Sequence, residues 1–146
     1  MMYIRLAFIL TFCCRSAFGQ DYVLTTKQDS LVGKIIVLTF HNTDKVRITD
    51  AEKKKSEWLA SNVLRMSINN ESYKAVKTPT GYRIMKIAKP GILSLCYARQ
   101  LEEAPYDIPY FVKNTGESLE VPKILFKVQT SSFLKECGDL KERITA

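Results

Sequence analysis

The sequence predicts a mainly β fold: an antiparallel meander that forms a strongly twisted sheet or a barrel-like closure, with a C-terminal α-helical element. A two-sheet sandwich is the main alternative. Three observations point there. From Gln20 onward the apolar runs are short, rich in β-branched and aromatic residues, and bounded by turn-forming residues. Several of them alternate with a period of two. After Pro122 the apolar spacing changes to steps of three and four, the helical period.

Residues 1–19 precede that fold. Met1 to Arg5 carry one basic side chain, and Leu6 to Cys14 form an apolar stretch too short to cross about 30 Å of hydrocarbon as a helix. No transmembrane span is therefore expected. Ala17, Phe18 and Gly19 make the small-x-small pattern of a secretory signal-peptide cleavage site. The mature chain is expected to begin at Gln20 and to form a single domain, 20–146, that is secreted, periplasmic or on the cell surface. A bacterial lipoprotein would place its cysteine after a small residue, whereas Phe12 precedes Cys13 and Cys13 precedes Cys14.

The elements follow in order. "DYVLTT" and "LVGKIIVLTF" read as strands joined by the polar turn "KQDS", with Gly33 marking a bend or bulge. The turn "HNTD" leads to "KVRIT", where Val46 and Ile48 alternate with Lys45, Arg47 and Thr49, the pattern of a half-buried strand. A charged turn precedes a short strand around Trp58. "NVLRMSI" is expected to put Leu64, Met66 and Ile68 on one face, and Asn69-Asn70, which reach positive φ readily, to form the tip of a hairpin. "TPTG" and "KPG" are turns around the strands "YRIMKIA" and "ILSLCYAR". "QLEEAPYDIPY" reads as a loop into the strand "YFVK", and "NTGE" turns back into "LEV". Phe133, Leu134, Cys137, Leu140 and Ile144 form the apolar side of an amphipathic helix, with a break expected at Gly138-Asp139. This makes eight or so strands in sequence-local order.

Cleavage would remove Cys13 and Cys14 and leave Cys96 and Cys137, an even pair in an oxidising compartment. A disulfide between them would close a loop of about 41 residues and contribute roughly 4 kcal/mol in the chain-entropy treatment. Two buried free thiols are the alternative. The 146 residues carry 22 basic against 15 acidic side chains, a formal net charge of +7, which the loss of Arg5 and Arg15 with the leader lowers to +5. That balance suits attraction to anionic polymers or plain solubility. For an exported chain, nucleic acid is not an expected partner.

Residue types needed for common chemistries are sparse. His41 is the single histidine; with Asp44 it could form a base and its orienter, or both could be ordinary hairpin-tip residues. Cys96, Cys137 and His41 are too few for a structural zinc site. Asp29, Asp44 and Asp50 are too isolated in sequence for a calcium loop. Gly81 and Gly91 stand outside any phosphate-cradling run. Glu102 and Glu103 would point apart on an extended chain, and Lys53, Lys54 and Lys55 are flanked by acids, as in a solvated turn. No catalytic residue, metal or cofactor is expected. The binding surface with most support combines Tyr82, Arg83, Lys86 and Lys89 with Tyr97 and Arg99 on neighbouring strands, a tyrosine-arginine mixture suited to glycans or acidic groups. The same pattern arises where amphipathic side chains half-bury at a wet face.

"YVLTTKQDSLVGKI", residues 22–35, resembles the opening of small exported proteins of Bacteroidetes-type bacteria, and the resemblance extends through "TDKVRITDAEKKKSEW", "INNESYKAV", "YFVKNTGESLEVPKILFK" and "FLKEC". It implies the compartment and the fold and brings no catalytic residue with it. In such bacteria Asp-Ser/Thr-apolar looks like an O-glycosylation site, which Asp29-Ser30-Leu31 matches at Ser30. The leading expectation is thus a non-enzymatic exported binding or structural module of the cell envelope, partnered by an envelope glycan or another envelope protein. The others are an enzyme or accessory acting on envelope glycans, using scattered carboxylates, and an adhesin for acidic polymers using the Tyr82 and Arg83 surface.

Overall fold

The computed structural model describes residues 20–40, 43–100, 104–121 and 126–135. The leader, Cys13, Cys14, His41, Glu102, Glu103, Cys137 and the expected break at Gly138-Asp139 lie outside the described residues. Those described contain eleven strands: β1 (Tyr22–Thr25), β2 (Ser30–Val32), β3 (Lys34–Leu38), β4 (Lys45–Thr49), β5 (Lys55–Leu59), β6 (Val63–Ile68), β7 (Glu71–Thr78), β8 (Gly81–Lys89), β9 (Leu93–Ala98), β10 (Ile108–Lys113) and β11 (Ser118–Glu120). One helix, α1 (Phe126–Phe133), follows. Eight strands form a curled antiparallel half-barrel in the order β11-β10-β9-β8-β7-β6-β1-β2, and β3-β4-β5 form a second sheet. From β6 to β11 spatial order equals chain order, as expected when turns join neighbours directly. Among the described residues no helix is long and apolar enough to cross a membrane.

Alternation and turn chemistry explain these elements. In β4, Val46 and Ile48 are buried while Lys45, Arg47 and Thr49 remain half-exposed. Asn69 and Asn70 adopt φ of 51° and 63°, and Ile68 faces Glu71 across the hairpin they close. Two positive-φ residues match the right-handed twist of the strands they join.

Four features differ from the sequence reading. First, Gly33 lies at a change of sheet: β2 belongs to the half-barrel and β3 to the three-stranded sheet. A Cβ at Gly33 would lie 2.3 Å from the Thr49 carbonyl oxygen, so only glycine lets the crossing chain pass this close. Second, Leu64 does not share a face with Met66. The register of β1 on β6 runs Leu24 to Arg65 and then Thr25 to Val63, so Leu64 is the extra residue of a bulge and is turned outward. Val63 and Met66 are buried instead. Third, β10 begins at Ile108 and includes Pro109, a residue placed in the preceding loop by its composition. Pro109 pairs with Tyr97, and its carbonyl accepts from the Val121 amide over 2.8 Å. Fourth, the described helix starts at Phe126, upstream of the Phe133–Ile144 stripe.

The half-barrel is buried on both sides where β7 and β8 cross its centre. Ile84 belongs to one cluster with Val23, Val37, Val46, Met66 and Tyr73, which joins the two sheets. Its neighbour Met85 points to the opposite face, where it meets Val76, Cys96, Ala98 and Val112. Ile84 and Met85 are 1% and 0% exposed, so the paired apolar residues of "YRIMKIA" reflect a strand covered on both faces. The curl brings β11 back toward β7, where Ser118 Oγ donates to the Lys77 carbonyl over 2.6 Å.

Candidate functional site

β8 pairs with β9 only through Lys86, Ile87 and Lys89, which leaves the edge of its first half without a strand partner on that side. Asp44, the residue before β4, takes that place. Its amide donates to the Tyr82 carbonyl over 2.9 Å, and its Oδ2 accepts from the Ile84 amide over 2.8 Å. Arg83 Nε lies 3.2 Å from Asp44 Oδ1, pairing a carboxylate that is 1% exposed. Burial raises the Asp44 carboxyl above its ordinary value despite the opposing pull of the Ile84 amide and of Arg83.

The network continues through the other predicted arginine. Arg83 Nη2 donates to the Arg99 carbonyl over 2.5 Å. Arg99 Nε donates to Thr39 Oγ1 over 2.8 Å, and its Nη2 donates to the Val37 carbonyl. It thereby ties the end of β9 to the end of β3 in the other sheet. The Arg99 guanidinium also stands 5.3 Å from the centre of the Tyr106 ring, which meets Tyr73 edge-on at 5.4 Å. Tyr73 donates to Glu71 Oε2 over 2.9 Å, and Lys86 holds Glu71 Oε1 at 2.5 Å. The bonds from Lys86 and Tyr73 hold the Glu71 carboxyl below the usual range; burial, then Glu71, raises the Tyr73 phenol.

The structure therefore brings Arg83, Lys86 and Arg99 into one connected array, with the two guanidiniums turned into the fold. Tyr97 faces Lys86 across the β8–β9 ladder and is half-buried. Tyr82 lies apart from that array's exposed end and opens onto a groove. Ser30 is exposed at the start of β2. Cys96 is fully buried, with its thiol raised by burial against the pull of Lys74.

The groove runs along the seam that the curl creates between β7 and the β10–β11 hairpin. It has a volume of about 880 Å³, within the range of ligand clefts. Lys74, Lys77, Tyr82, Lys113, Glu117 and Phe133 line it, together with the hairpin tip Asn114–Gly116. Lys113 Nζ bonds Glu117 Oε2 at 2.7 Å and sits 4.7 Å from the centre of the Phe133 ring. Three ammonium groups against one carboxylate give the lining a net positive charge. Of these residues only Tyr82 was a candidate in the sequence; the rest escaped it because β7 and β11 are far apart in the chain, and no local signal reports a sheet that curls until they meet. The alternation of "YKAVKT" shows only that Lys74 and Lys77 lie on a strand.

No protein family, curated protein or solved structure matches this chain.

Proposed function

We propose that this protein is an exported, non-enzymatic β-rich binding module of the bacterial cell envelope, and that the seam groove is its ligand site. The observation that carries the reading is the groove itself: an open cleft between β7 and the β10–β11 hairpin, bordered by Tyr82, Phe133 and lysines of both β7 and β10. Its polar groups are suited to holding a ligand by charge and hydrogen bonding. Export rests on the small-x-small pattern before Gln20 and on the resemblance carried by residues 22–35.

Intact mass of material recovered from the envelope tests export: a chain beginning at Gln20 is expected, and one retaining Met1 overturns it. The same spectrum reads the proposed glycan on Ser30 as added mass. An oxidising compartment would also join Cys96 to Cys137, which thiol titration of native and denatured protein tests. Retention of the native protein on purified envelope glycans or envelope proteins, lost when the groove is blocked, tests the module reading. Turnover of peptidoglycan or polysaccharide would replace it with an enzymatic one.

A further inference from the structure

We infer that the seam groove binds a carboxylate-bearing polysaccharide, a uronate chain, with Glu117 holding the place of a ligand carboxylate. This deepens the binding-module reading and rests on it. Lys77 borders the groove from β7, on the same face as its cross-strand partner Tyr82, and Lys113 borders it from β10, while Lys74 lies on the other face of β7 with Met85. Lys77 and Lys113 thus stand on the two walls of the groove, an arrangement complementary to anionic groups carried along a chain. The Lys113–Glu117 pair shows the chemistry in miniature: a carboxylate oxygen is already bonded by one of these amines at 2.7 Å. The Glu117 side chain is 62% exposed, whereas the Lys113 side chain is 12% exposed and its ammonium lies 4.7 Å from the centre of the Phe133 ring. An incoming carboxylate would replace Glu117 on Lys113.

A sugar chain is favoured over an acidic peptide by the rest of the lining. Tyr82 and Phe133 present ring surface, while Thr78, Asn114 and Thr115 supply hydroxyl and amide groups that both donate and accept. Alternating apolar ring faces and hydroxyl groups are the surface of a pyranose, and its carboxylates answer the lysines.

The test uses the mature full chain titrated with polygalacturonate, fully methyl-esterified polygalacturonate and poly-glutamate. Polygalacturonate is expected to bind, with esterification weakening binding at least tenfold and added salt weakening it progressively. Poly-glutamate is expected to bind at least tenfold less tightly. Lys77→Gln should weaken polygalacturonate binding several-fold, and Glu117→Gln, which removes the internal competitor and its repulsion, should tighten it. Lys77 and Glu117 are both exposed, so an unchanged unfolding midpoint in each variant confirms that only the groove is altered. Equal binding of the esterified polymer, equal binding of poly-glutamate, no effect of Lys77→Gln, weakening by Glu117→Gln, or no binding of polygalacturonate would each overturn the inference. Retention on a neutral envelope glycan or an envelope protein would overturn it while leaving the module reading standing.

Discussion

The backbone amide of Ile84 donates to the buried carboxylate of Asp44 over 2.8 Å, so a side chain 40 residues away completes the ladder where β9 does not reach β8. Replacing Asp44 with alanine would leave that amide without its acceptor and the Arg83 charge without its partner. Breaking a buried pair in this way costs about 3 kcal/mol. Urea denaturation of Asp44→Ala should show that loss, and Asp44→Asn, which keeps an acceptor for Ile84, should lose less. Equal stability of wild type and Asp44→Ala would remove Asp44 from this role.

The pH dependence of the same group has a definite sign. Burial places the folded-state carboxyl of Asp44 above its ordinary value of 3.8. Between these two values the native state holds more protons than the unfolded chain, so the contribution of this group declines as pH rises. The stability difference between wild type and Asp44→Asn should therefore shrink as pH climbs above 3.8 and level off beyond the folded-state value. Urea midpoints of both proteins across the acid range measure this; a difference that grows with pH would contradict it.

Tyr110 makes a comparable prediction in alkali. Its hydroxyl donates to Glu120 Oε2 over 2.8 Å, and burial, reinforced by Glu120, pushes the phenol up to about 12. A raised folded-state value means stability that is present below the ordinary value of 10 and lost as pH rises through about 12. Tyrosinate absorbance should show one fewer late-titrating phenol in Tyr110→Phe than in wild type. An unchanged titration would show that Tyr110 ionises with the ordinary tyrosines.

The bulge in β6 separates two apolar residues that look equivalent in sequence. Leu64 is 46% exposed and Met66 is 2% exposed. Leu64→Lys should change stability by no more than about 0.5 kcal/mol. Met66→Ala should cost about 2–5 kcal/mol through lost burial and the cavity left behind. Thermal or urea unfolding of the two variants distinguishes this arrangement from a regular strand, in which both substitutions would be costly.

At Gly33 the prediction is steric. A methyl group there meets the Thr49 carbonyl oxygen at 2.3 Å, and φ is 157°. Gly33→Ala should lower stability by at least about 2 kcal/mol, because the obstructing atom is backbone and cannot rotate away. Gly116, with nothing near its Cβ direction but φ of 94°, should show a smaller penalty from conformation alone.

Strand identity was legible because alternation and turns are local. "KVRIT" became β4 with Val46 and Ile48 inward, and Asn69-Asn70 closed a hairpin, since each outcome depends on residues within a few positions. The failures have non-local causes. Leu64 fits a period-two pattern, and only the register of the neighbouring strand β1 reveals the inserted residue. Pro109 reads as a loop residue until it is seen next to the start of β10, just outside the pairing with β11 that begins at Tyr110 and Glu120.

The candidate site was less legible. Tyr82, Arg83, Lys86, Tyr97 and Arg99 were grouped from adjacent strands, and the structure does bring most of them together, but it directs Arg83 to Asp44 and Arg99 to Val37 and Thr39. A sequence shows that an arginine is present; it does not show which buried acceptors it meets. By itself, then, the order of residues determined a β-rich chain, its hairpins and the inward-facing half of most strands, because backbone propensity and side-chain alternation act over short distances. Only the folded form decided that two sheets share Ile84's cluster, that Asp44 finishes an incomplete edge, and that β7 meets the β10–β11 hairpin in a lysine-lined groove. Those outcomes depend on twist accumulated across many strands, and no short segment contains it.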